Sequence, residues 1–428
     1  MKRWTLLFIA VALVMLPVVI LATGKKEEEA EEAYELSSTA TGDQWFVEMT
    51  APFKGETINV IATSGYGFTE ALQYSGDLFK DLTGVNVVVV DLPWEQMHDK
   101  VMANFIAKSS EYDVVNMDGW QVPAIFNASA VINLQPWIDE GRMIPPDWDI
   151  YDFIQNDFKF NGTWPPGGDI YAIPYFPDVI MLFYNKSYFE KYGIDPPKTW
   201  QEFETIARKL NGKDLNGDGK PDYGFGLFAK KGPDLPTIWH DRFISFGGSY
   251  FEGGAYYASE LEPSLNDDAA MNGLKLLIKH LEMAAPGSYD WDVPMISNAF
   301  VAGDIAMCEM WTNMPALADD PNQSKIVGEW GAVPIPMGVR RAPQYGGWSI
   351  GVPTYSEKKE LAFLYCAYVT SKEVMKKTTL ERRIPQSRYS NLTEPEILAL
   401  FPWYKFLAEG LDVGGLSQRS PRPWNFTT

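Results

Sequence analysis

Aromatic and acidic side chains follow three predicted strands, at positions where they could surround a small solute. The loops concerned are Ser64-Gly65-Tyr66, Pro93-Trp94-Glu95 and Asp118-Gly119-Trp120. A sugar-like solute presents weakly apolar C–H faces, which flat aromatic rings cover, and rims of hydroxyl groups, which carboxylates bind. Because the carboxyl ends of strands in an open α/β sheet meet at one crevice, these loops predict a binding site for such a solute.

A second candidate site is the acidic, glycine-rich segment 214–222, DLNGDGKPD. It resembles the first nine positions of an EF-hand calcium loop, in which oxygen ligands alternate along the chain. The ligands would be Asp214, Asn216, Asp218 and Asp222. Position twelve is Phe225, so the bidentate glutamate is missing, and a metal-free turn is the alternative. Any Ca²⁺ here would be structural and distant from the solute.

Motifs for covalent chemistry are missing from the sequence. The three histidines, His98, His240 and His280, lack the paired spacing of metal ligands, and solvent-facing helix positions are expected for His98 and His280. There is neither a glycine-rich phosphate loop nor a Gly-x-Ser-x-Gly nucleophile turn. We therefore expect a binding protein without a cofactor. The alternative is a secreted carbohydrate-cleaving enzyme that uses two carboxylates.

The elements that position the three loops alternate between short strands and amphipathic helices. Strands are predicted at 57–63, 85–92 and 112–117, with one helix capped by Thr69 and another over 95–107. The run at 85–92, VNVVVVDL, is apolar on both faces, as expected of a strand buried inside a parallel sheet. This alternation predicts βαβ units and an α/β fold.

A second block of alternating elements begins near residue 174. Thr199 and Glu202 have the spacing of a capping box, which predicts a helix up to about residue 210. Ser356 is predicted to cap another helix. The remaining predicted strands are 179–184, 305–311 and 346–352, and the remaining helices are 269–284 and 297–302.

The amino terminus has the pattern of an export signal. Lys2 and Arg3 precede an uncharged, apolar run over 4–22, which is typical of a secretory signal and also long enough for a retained anchor. Gly24 stands where a lipid-bearing cysteine would be, so there is no thiol to acylate. Residues 1–24 are therefore predicted to be a signal peptide or signal anchor, and 25–56 an acidic, flexible stalk.

Composition limits the size and the partners of the folded part. About 370 residues follow the signal and stalk, which exceeds the size of a single core, so two lobes are expected. A net charge of −20 argues against nucleic acid and anionic lipid as partners. Cys308 and Cys366 are predicted to be isolated buried thiols, with a single disulfide as the alternative.

Several segments, taken in order, carry a resemblance to a known family. They are 170–186 (IYAIPYFPDVIMLFYNK), 197–200 (PKTW), 300–307 (FVAGDIAM), 334–338 (PIPMG), 346–349 (GGWS) and 383–385 (RIP). This ordered set resembles the family 1 extracellular solute-binding proteins, the group of the maltose-binding protein. Each segment is loose by itself, whereas the whole series in this order is specific.

The resemblance implies a type II periplasmic-binding fold, in which two α/β lobes joined by hinge strands close on a ligand. Lobe 1 would comprise 57–176 plus 331–391, and lobe 2 would comprise 177–330 plus 392–428. It also implies a monomer in the periplasm or at the cell surface, which captures a carbohydrate and delivers it to an ABC permease. A membrane-anchored sensor with the same fold is the alternative.

The resemblance also implies ligand-binding positions beyond the three loops. Two glycines before Trp348 allow close backbone approach, and the matching family segment lies at the cleft; core packing of Trp348 is the alternative. Asp118 would either bind the ligand or cap the next helix. For Tyr175 and Trp311, core packing is again the alternative. The full candidate set is Tyr66, Trp94, Glu95, Asp118, Trp120, Tyr175, Asp178, Trp239, Trp311, Gly347, Trp348 and Arg383.

Overall fold

Two β-sheets organise the chain, and helices flank both of them. The structure is a computed structural model that describes residues 38–64, 67–252, 262–413 and 415–416. The predicted signal segment, 1–24, lies outside these ranges. The strands are β1 Thr57–Thr63, β2 Asn86–Leu92, β3 Val114–Asp118, β4 Thr163–Trp164, β5 Asp169–Ile170, β6 Ile173–Phe176, β7 Met181–Asn185, β8 Met307–Met310, β9 Trp330–Pro334, β10 Gln344–Tyr345, β11 Trp348–Gly351 and β12 Gly415–Leu416.

Helices cover most of the chain between these strands. The α-helices are α1 Gly42–Thr50, α2 Phe68–Thr83, α3 Trp94–Ile106, α4 Val122–Asn127, α5 Gln135–Asp139, α6 Gln155–Asp157, α7 Lys186–Tyr192, α8 Trp200–Leu210, α9 Asp234–Ser245, α10 Asp268–Met283, α11 Val293–Ala302, α12 Met314–Ala318, α13 Lys359–Val369, α14 Lys372–Arg382, α15 Tyr389–Thr393, α16 Pro395–Leu400 and α17 Tyr404–Val413. Short 3₁₀ turns occupy Ala51–Phe53 and Ile150–Asp152, and a π-helix occupies Phe158–Gly162.

The first sheet has the strand order β2-β1-β3-β11-β6. Strands β1, β2 and β3 are parallel, as the βαβ alternation predicted. Strand β11 comes from far along the chain and lies antiparallel between β3 and β6. The carboxyl ends of β1, β2 and β3 therefore lie side by side, and the three candidate loops begin there.

The prediction that strand 85–92 is buried on both faces is wrong. The strand exists as β2, but it forms the edge of the sheet, and Val88 and Val90 are 45% and 36% exposed. A run of valines satisfies the β preference of each residue locally. Whether a neighbouring strand or helix covers the outer face depends on the rest of the chain.

The amino-terminal part of the folded body begins earlier than the predicted stalk allowed. Helix α1 lies within the segment 25–56, yet Trp45, Phe46 and Met49 are fully buried. The Phe46 ring packs edge-on against Tyr368 of α13, with centroids 5.0 Å apart. These three apolar side chains lie on one helix face, so this turn of the chain is stabilised by burial and is not a solvated spacer.

Of the N-caps predicted for α8 and α2, that of Thr199 forms and that of Thr69 does not. The capping box of α8 is confirmed, because the Thr199 hydroxyl accepts the Glu202 N–H at 3.2 Å while the Glu202 carboxylate accepts the Thr199 N–H at 3.2 Å. The prediction that Thr69 caps a helix is wrong. The N-cap of helix α2 is Gly67, two residues before Thr69, and its φ of +77° suits glycine.

The second sheet has the order β8-β7-β9, with β7 antiparallel to both neighbours. Its core contains a buried ion pair, in which Arg242 of α9 donates two hydrogen bonds to Glu309 of β8, at 2.7 and 3.1 Å. Arg242 also donates to Nδ1 of His280 at 3.1 Å, so His280 is a buried neutral hydrogen-bond acceptor and not the solvent-facing residue predicted. Burial, with the Arg242 charge, lowers the pKa of His280 well below its usual value.

Two chain segments connect the sheets and run antiparallel to each other. The Ile180 N–H donates to the Gln344 carbonyl at 3.1 Å, and the Gly346 N–H donates to the Asp178 carbonyl at 2.8 Å. The chain was predicted to return to the first lobe at residue 331. However, Trp330–Pro334 is β9 and pairs with β7, so this stretch belongs with the second sheet.

Cys308 and Cys366 are buried free thiols, which confirms the interpretation as isolated cysteines. Across the described ranges, every helix is too short or too polar to cross a bilayer.

Candidate functional site

The structure brings together the aromatic and acidic residues that follow β2 and β3. The indole Nε1 of Trp94, at the start of α3, donates to Oδ2 of Asp118 at 2.8 Å. The rings of Trp94 and Trp120 lie 5.5 Å apart between centroids, tilted by 44°. Tyr66 lies outside the described residues, as does the side chain of Glu95.

Trp348 is the register partner of Asp118 across β11 and β3. It is only 4% exposed, and its ring packs 4.5 Å from that of Phe68, which in turn lies 4.9 Å from Phe176. Most of the Trp348 surface is therefore buried by packing, which was the alternative prediction for this residue. As register partners on adjacent antiparallel strands, Trp348 and Asp118 carry their side chains on the same face of the first sheet.

Asp178 approaches the same place from the connecting segment between the sheets. Its Oδ1 accepts the Thr312 N–H at 2.9 Å and the Thr312 hydroxyl at 2.5 Å. The pKa of Asp178 is raised to about 8, mainly by burial and to a smaller extent by the negative charges of Asp118 and Asp157, while the hydrogen bonds from Thr312 oppose the shift. Asp118 and Asp157 therefore lie close enough to Asp178 for their charges to act on it.

Trp311 joins this neighbourhood from the second sheet, directly after β8. A Cβ atom added to Gly346 would lie 3.0 Å from the Trp311 ring and 3.6 Å from the Asp178 Cβ, so ring and carboxylate flank the same glycine. The Trp311 side chain is half-buried. We refer to Trp94, Asp118, Trp120, Asp178 and Trp311 as the cleft cluster.

Gly347, which follows the second connecting segment, lies close against the side chains of Asn161 and Asp157. Its φ is +115°, and an added Cβ would lie 2.2 Å from Asn161 Nδ2 and 2.8 Å from Asp157 Oδ1. Asn161 Nδ2 donates to the Gly346 carbonyl at 3.2 Å, and the Gly347 carbonyl accepts the Gly119 N–H at 2.9 Å. The two glycines predicted a close backbone approach, and the groups that approach Gly347 are the side chains of Asn161 and Asp157.

Asp157 and Asn161 were missed by the sequence analysis. Both are fully buried, and Asp157 accepts hydrogen bonds from Asn161 and from the Ser387 hydroxyl. Asn161 lies in the π-helix, a rare conformation that is often found at functional positions. Pairs of polar residues spaced four apart are common, so nothing in the local sequence marked Asp157 and Asn161 as candidate site residues.

Four further polar atoms are buried without a partner near the carboxyl ends of the parallel strands. Thr63 ends β1, and Trp120 and Gln121 follow β3, while His98 lies on α3 with its ring 5.8 Å from Trp120. Within the described part of the chain, Thr63 Oγ1, His98 Nδ1, Trp120 Nε1 and Gln121 Nε2 have no hydrogen-bond partner. Buried polar groups normally have partners, so these atoms point to a missing one such as a solute hydroxyl.

His98 differs from its prediction, because it is half-buried and does not face solvent. Burial lowers the pKa of His98, which favours the neutral ring. Thr63, His98 and Gln121 therefore extend the list of candidate residues. A polar side chain one or a few residues from a strand end is the only sequence signal that could have identified them.

Three predicted site residues make contacts elsewhere in the fold. Tyr175 is fully buried, which raises the pKa of its hydroxyl; the hydroxyl lies near Gln386 and Ser75 but has no hydrogen-bond partner among the described residues. The Trp239 ring stacks on Phe243 of the same helix, with centroids 4.6 Å apart. Arg383 Nη1 donates to Asp319 Oδ2 at 2.6 Å, in an ion pair that joins the end of α14 to the end of α12.

The calcium-like segment 214–222 uses its carboxylates on its own backbone. Asp214 accepts the N–H groups of Gly217 and Gly219 at 2.7 and 3.1 Å, and Asp222 accepts that of Leu215 at 2.7 Å. Among the residues that the structure describes, no group of three or more His, Cys, Asp or Glu side chains is arranged to hold a metal ion.

Comparison with known proteins identifies the family. A model of the bacterial extracellular solute-binding proteins matches residues 63–376. The chain belongs to this family. A probable amino-acid ABC transporter periplasmic-binding protein of Sinorhizobium fredii is 26% identical over 86% of this chain and 81% of its own length. An erythritol/L-threitol-binding protein of Mycolicibacterium smegmatis is 22% identical over 76% and 68%, respectively.

The fold agrees with this membership. A solute-binding protein from Agrobacterium radiobacter K84, solved with ribitol, superposes with a TM-score of 0.74 at 24% identity, over 85% of this chain and 88% of that one. The α/β, two-lobed type II architecture is therefore established for this chain. As a member of this family, it is an extracellular solute-binding protein and not an enzyme.

The close approach at Gly347 generates a first prediction. Gly347→Ala should lower the free energy of unfolding by about 2–4 kcal/mol, because the new Cβ is strained at this φ and overlaps Asn161 and Asp157. Gly232 is a matched control, since its φ is +134° but nothing lies within 4 Å of an added Cβ. Gly232→Ala should cost about 1–2 kcal/mol, from backbone strain without a steric overlap.

Urea-induced unfolding of both variants and the parent protein measures this difference. Equal losses for the two alanine variants would show that backbone conformation, and not the contact with Asn161 and Asp157, determines the requirement for glycine at 347.

The environment of Asp178 generates a second prediction. Because the pKa of Asp178 is raised to about 8 from an ordinary value of 3.8, the folded state holds a proton that the unfolded state releases. The stability that Asp178 contributes is therefore complete below about pH 4 and is lost as the pH rises through 8. The slope is at most about 1.4 kcal/mol per pH unit.

Asp178→Asn mimics the protonated acid without titrating. Thermal unfolding at pH 5, 7 and 9 should show that this variant gains stability relative to the parent protein as the pH increases. Asp290→Asn, at an exposed position, is the control and should show no such trend. A constant difference between Asp178→Asn and the parent over this range would contradict the raised pKa.

Proposed function

We propose that the protein captures a sugar or polyol between its two sheets and delivers it to an ABC-type permease. The observation that carries this proposal is the cleft cluster, where aromatic rings and carboxyl groups meet beside buried polar atoms without partners. Hydroxyl groups of a polyol would satisfy those atoms, and its C–H faces would lie on the tryptophan rings. Families of this fold take chemically different solutes, so the site and not the fold must indicate the solute class.

In this proposal the first lobe is built on the five-stranded sheet and contributes Trp94, Asp118 and Trp120. The second lobe is built on the three-stranded sheet and contributes Trp311, with Asp178 on the connecting segment. The pairing of β9 with β7 favours a return to the first lobe after Pro334. Tyr66 and Glu95 stay in the proposed site by position alone, with Gly347 and Trp348 at its floor.

Relatives of both kinds match this chain, and the chemistry of the site favours a polyol over an amino acid as the solute. The Agrobacterium radiobacter protein was solved with ribitol, and the Mycolicibacterium smegmatis relative is named for erythritol and L-threitol. The relative from Sinorhizobium fredii is instead named for amino acids. An amino acid carries a carboxylate, which proteins often bind with a basic side chain. Arg383, the one basic residue among the candidates, is held by Asp319.

Delivery to a permease implies export, with the protein acting as a monomer at the outer face of the cytoplasmic membrane. We also propose that residues 1–24, when they are retained, attach the protein to the membrane. Fractionation of cells that express the full chain tests it, since a cleaved signal would leave the protein in the soluble extracytoplasmic fraction. Co-purification with the permease subunits tests the partnership.

Ligand binding gives a third prediction. Ribitol, mannitol and maltose, titrated while tryptophan fluorescence is recorded, should include at least one solute that changes the emission of the cleft tryptophans. Trp120→Ala should weaken its binding about tenfold, because a stacked ring contributes roughly 1.4 kcal/mol. Trp137→Ala is the matched control, since Trp137 packs against Phe363 of α13, and it should leave affinity unchanged.

A response to amino acids and to none of the three carbohydrates would reject the proposed solute class while leaving a solute-binding protein. Equal weakening by Trp120→Ala and Trp137→Ala would instead remove the cleft cluster as the binding site.

Calcium binding at 214–222 is a separate proposal. Alternating Asp and Asn oxygens and the glycine turns support it, while the hydrogen bonds of Asp214 and Asp222 to backbone N–H groups stabilise the loop without a metal. If Ca²⁺ binds, EDTA should lower the melting temperature of the parent protein and have no effect on Asp218→Ala. An unchanged melting temperature of the parent protein in EDTA would reject the ion.

A further inference from the structure

An ion pair between Arg383 and Asp319 joins a helix of the first sheet to a helix of the second. Arg383 Nη1 donates to Asp319 Oδ2 at 2.6 Å, and the Asp319 side chain is only 13% exposed. The other carboxylate oxygen, Oδ1, accepts the indole Nε1 of Trp330 at 2.7 Å and the N–H of Gly328 at 3.3 Å. Because Trp330 begins β9, the second sheet fixes the Asp319 carboxylate in place.

Arg383 is held by the helices of the first sheet. Its N–H donates to the Thr379 carbonyl at 2.9 Å, at the end of α14. Helix α14 packs against α2, where the hydroxyl groups of Thr378 and Ser75 lie 3.1 Å apart, and α2 packs on β1 and β2. The ion pair is therefore a non-covalent link between parts of the chain that are built on different sheets.

Apolar contacts accompany the ion pair at the start of α2. A Cβ atom added to Gly67 would lie 2.8 Å from Ile384 Cδ1 and 4.0 Å from Ala316 Cβ. Ile384 is buried and directly follows Arg383, while Ala316 lies on α12. Since Gly67 follows the carboxyl end of β1, this junction lies at the edge of the first sheet where the candidate loops begin.

The backbone of Arg383 is unusual for a residue with a side chain. Its φ of +58° and ψ of +28° are left-handed, the conformation in which glycine commonly ends a helix. Another residue is strained there, and such strain persists where a further interaction requires the side chain. The ion pair with Asp319 is an interaction of this kind, because glycine has no guanidinium group.

We propose that the Arg383–Asp319 pair is a latch that favours the closed arrangement of the two lobes. Opening of the lobes separates groups that are held on different sheets, and the apparent affinity of such a protein falls with the fraction that is closed. Arg383 is then a positioning residue that does not touch the solute. This inference rests on the proposed function and adds a determinant of its affinity.

Arg383→Gly separates the latch from a role in stability. The substitution removes the guanidinium and also relieves the left-handed backbone, so the melting temperature should stay the same or rise. Among ribitol, mannitol and maltose, a solute that the parent protein binds should bind this variant about threefold to fivefold more weakly, as expected of a partly exposed ion pair. The loss should come from faster dissociation, since the solute leaves after the lobes open. A residue with only a structural role would lower the melting temperature as well.

Lys108→Gly is the matched control for the backbone. Lys108 also has a positive φ, +52°, but it is exposed and follows α3. Glycine at 108 should relieve the same kind of strain and leave the affinity unchanged.

Asp319→Asn tests the other partner, because it keeps an acceptor for the Trp330 indole and removes the charge. It should weaken binding about as much as Arg383→Gly. The double variant should bind no more weakly than either single variant, because the two residues form one interaction.

Stopped-flow tryptophan fluorescence gives the affinities and the dissociation rates of these variants. Weaker binding in Arg383→Gly, with Asp319→Asn unchanged, would assign Arg383 a direct contact with the solute and overturn the latch. Equal affinities of the parent protein and of both variants would overturn it too.

Small-angle X-ray scattering tests the latch without a solute. Arg383→Gly should have a larger radius of gyration than Lys108→Gly, because a smaller fraction of it is closed. If none of the three carbohydrates binds the parent protein, the proposed solute class fails, and equal radii of the two glycine variants would then overturn the latch independently.

Discussion

The arrangement of the whole site depends on one close approach, that of the Gly347 backbone to Asn161 and Asp157. There is no space for a Cβ atom at 347, and Asp157 also accepts the Ser387 hydroxyl. Segments that are distant in sequence are thereby joined where the chain passes between its sheets. Strand β11 begins at the next residue, so Trp348 and its register partner Asp118 take their positions from this contact.

The two sheets treat their buried polar groups differently. In the second core, Arg242 and Glu309 satisfy each other through two hydrogen bonds, which is the condition under which a buried ion pair is tolerated. At the cleft, buried polar atoms such as Thr63 Oγ1 lack a partner among the described residues. The Arg242–Glu309 pair is thus complete in itself, whereas the buried atoms at the ends of the parallel strands are ones with which a solute hydroxyl could pair.

Sequence patterns predicted the parts of the molecule that depend on short-range preferences. Strand β1 has the predicted bounds, the capping box of Thr199 and Glu202 forms, and Trp94, Asp118 and Trp120 meet at the ends of parallel strands. Each of these follows from the preferences of a few consecutive residues, together with the rule that parallel strands share an edge.

The rest was decided by partners that lie far away along the chain. Periodicity marked β2 as an apolar strand, but only the assembled sheet made it an edge. Arg383 is basic in any context, and its pairing with Asp319 depends on where two helix ends meet. The sequence therefore determined the elements and the candidate loops. Tertiary structure alone determined which polar groups find partners and which stay open for a solute, because a hydrogen bond requires both of its groups to be brought within about 3 Å.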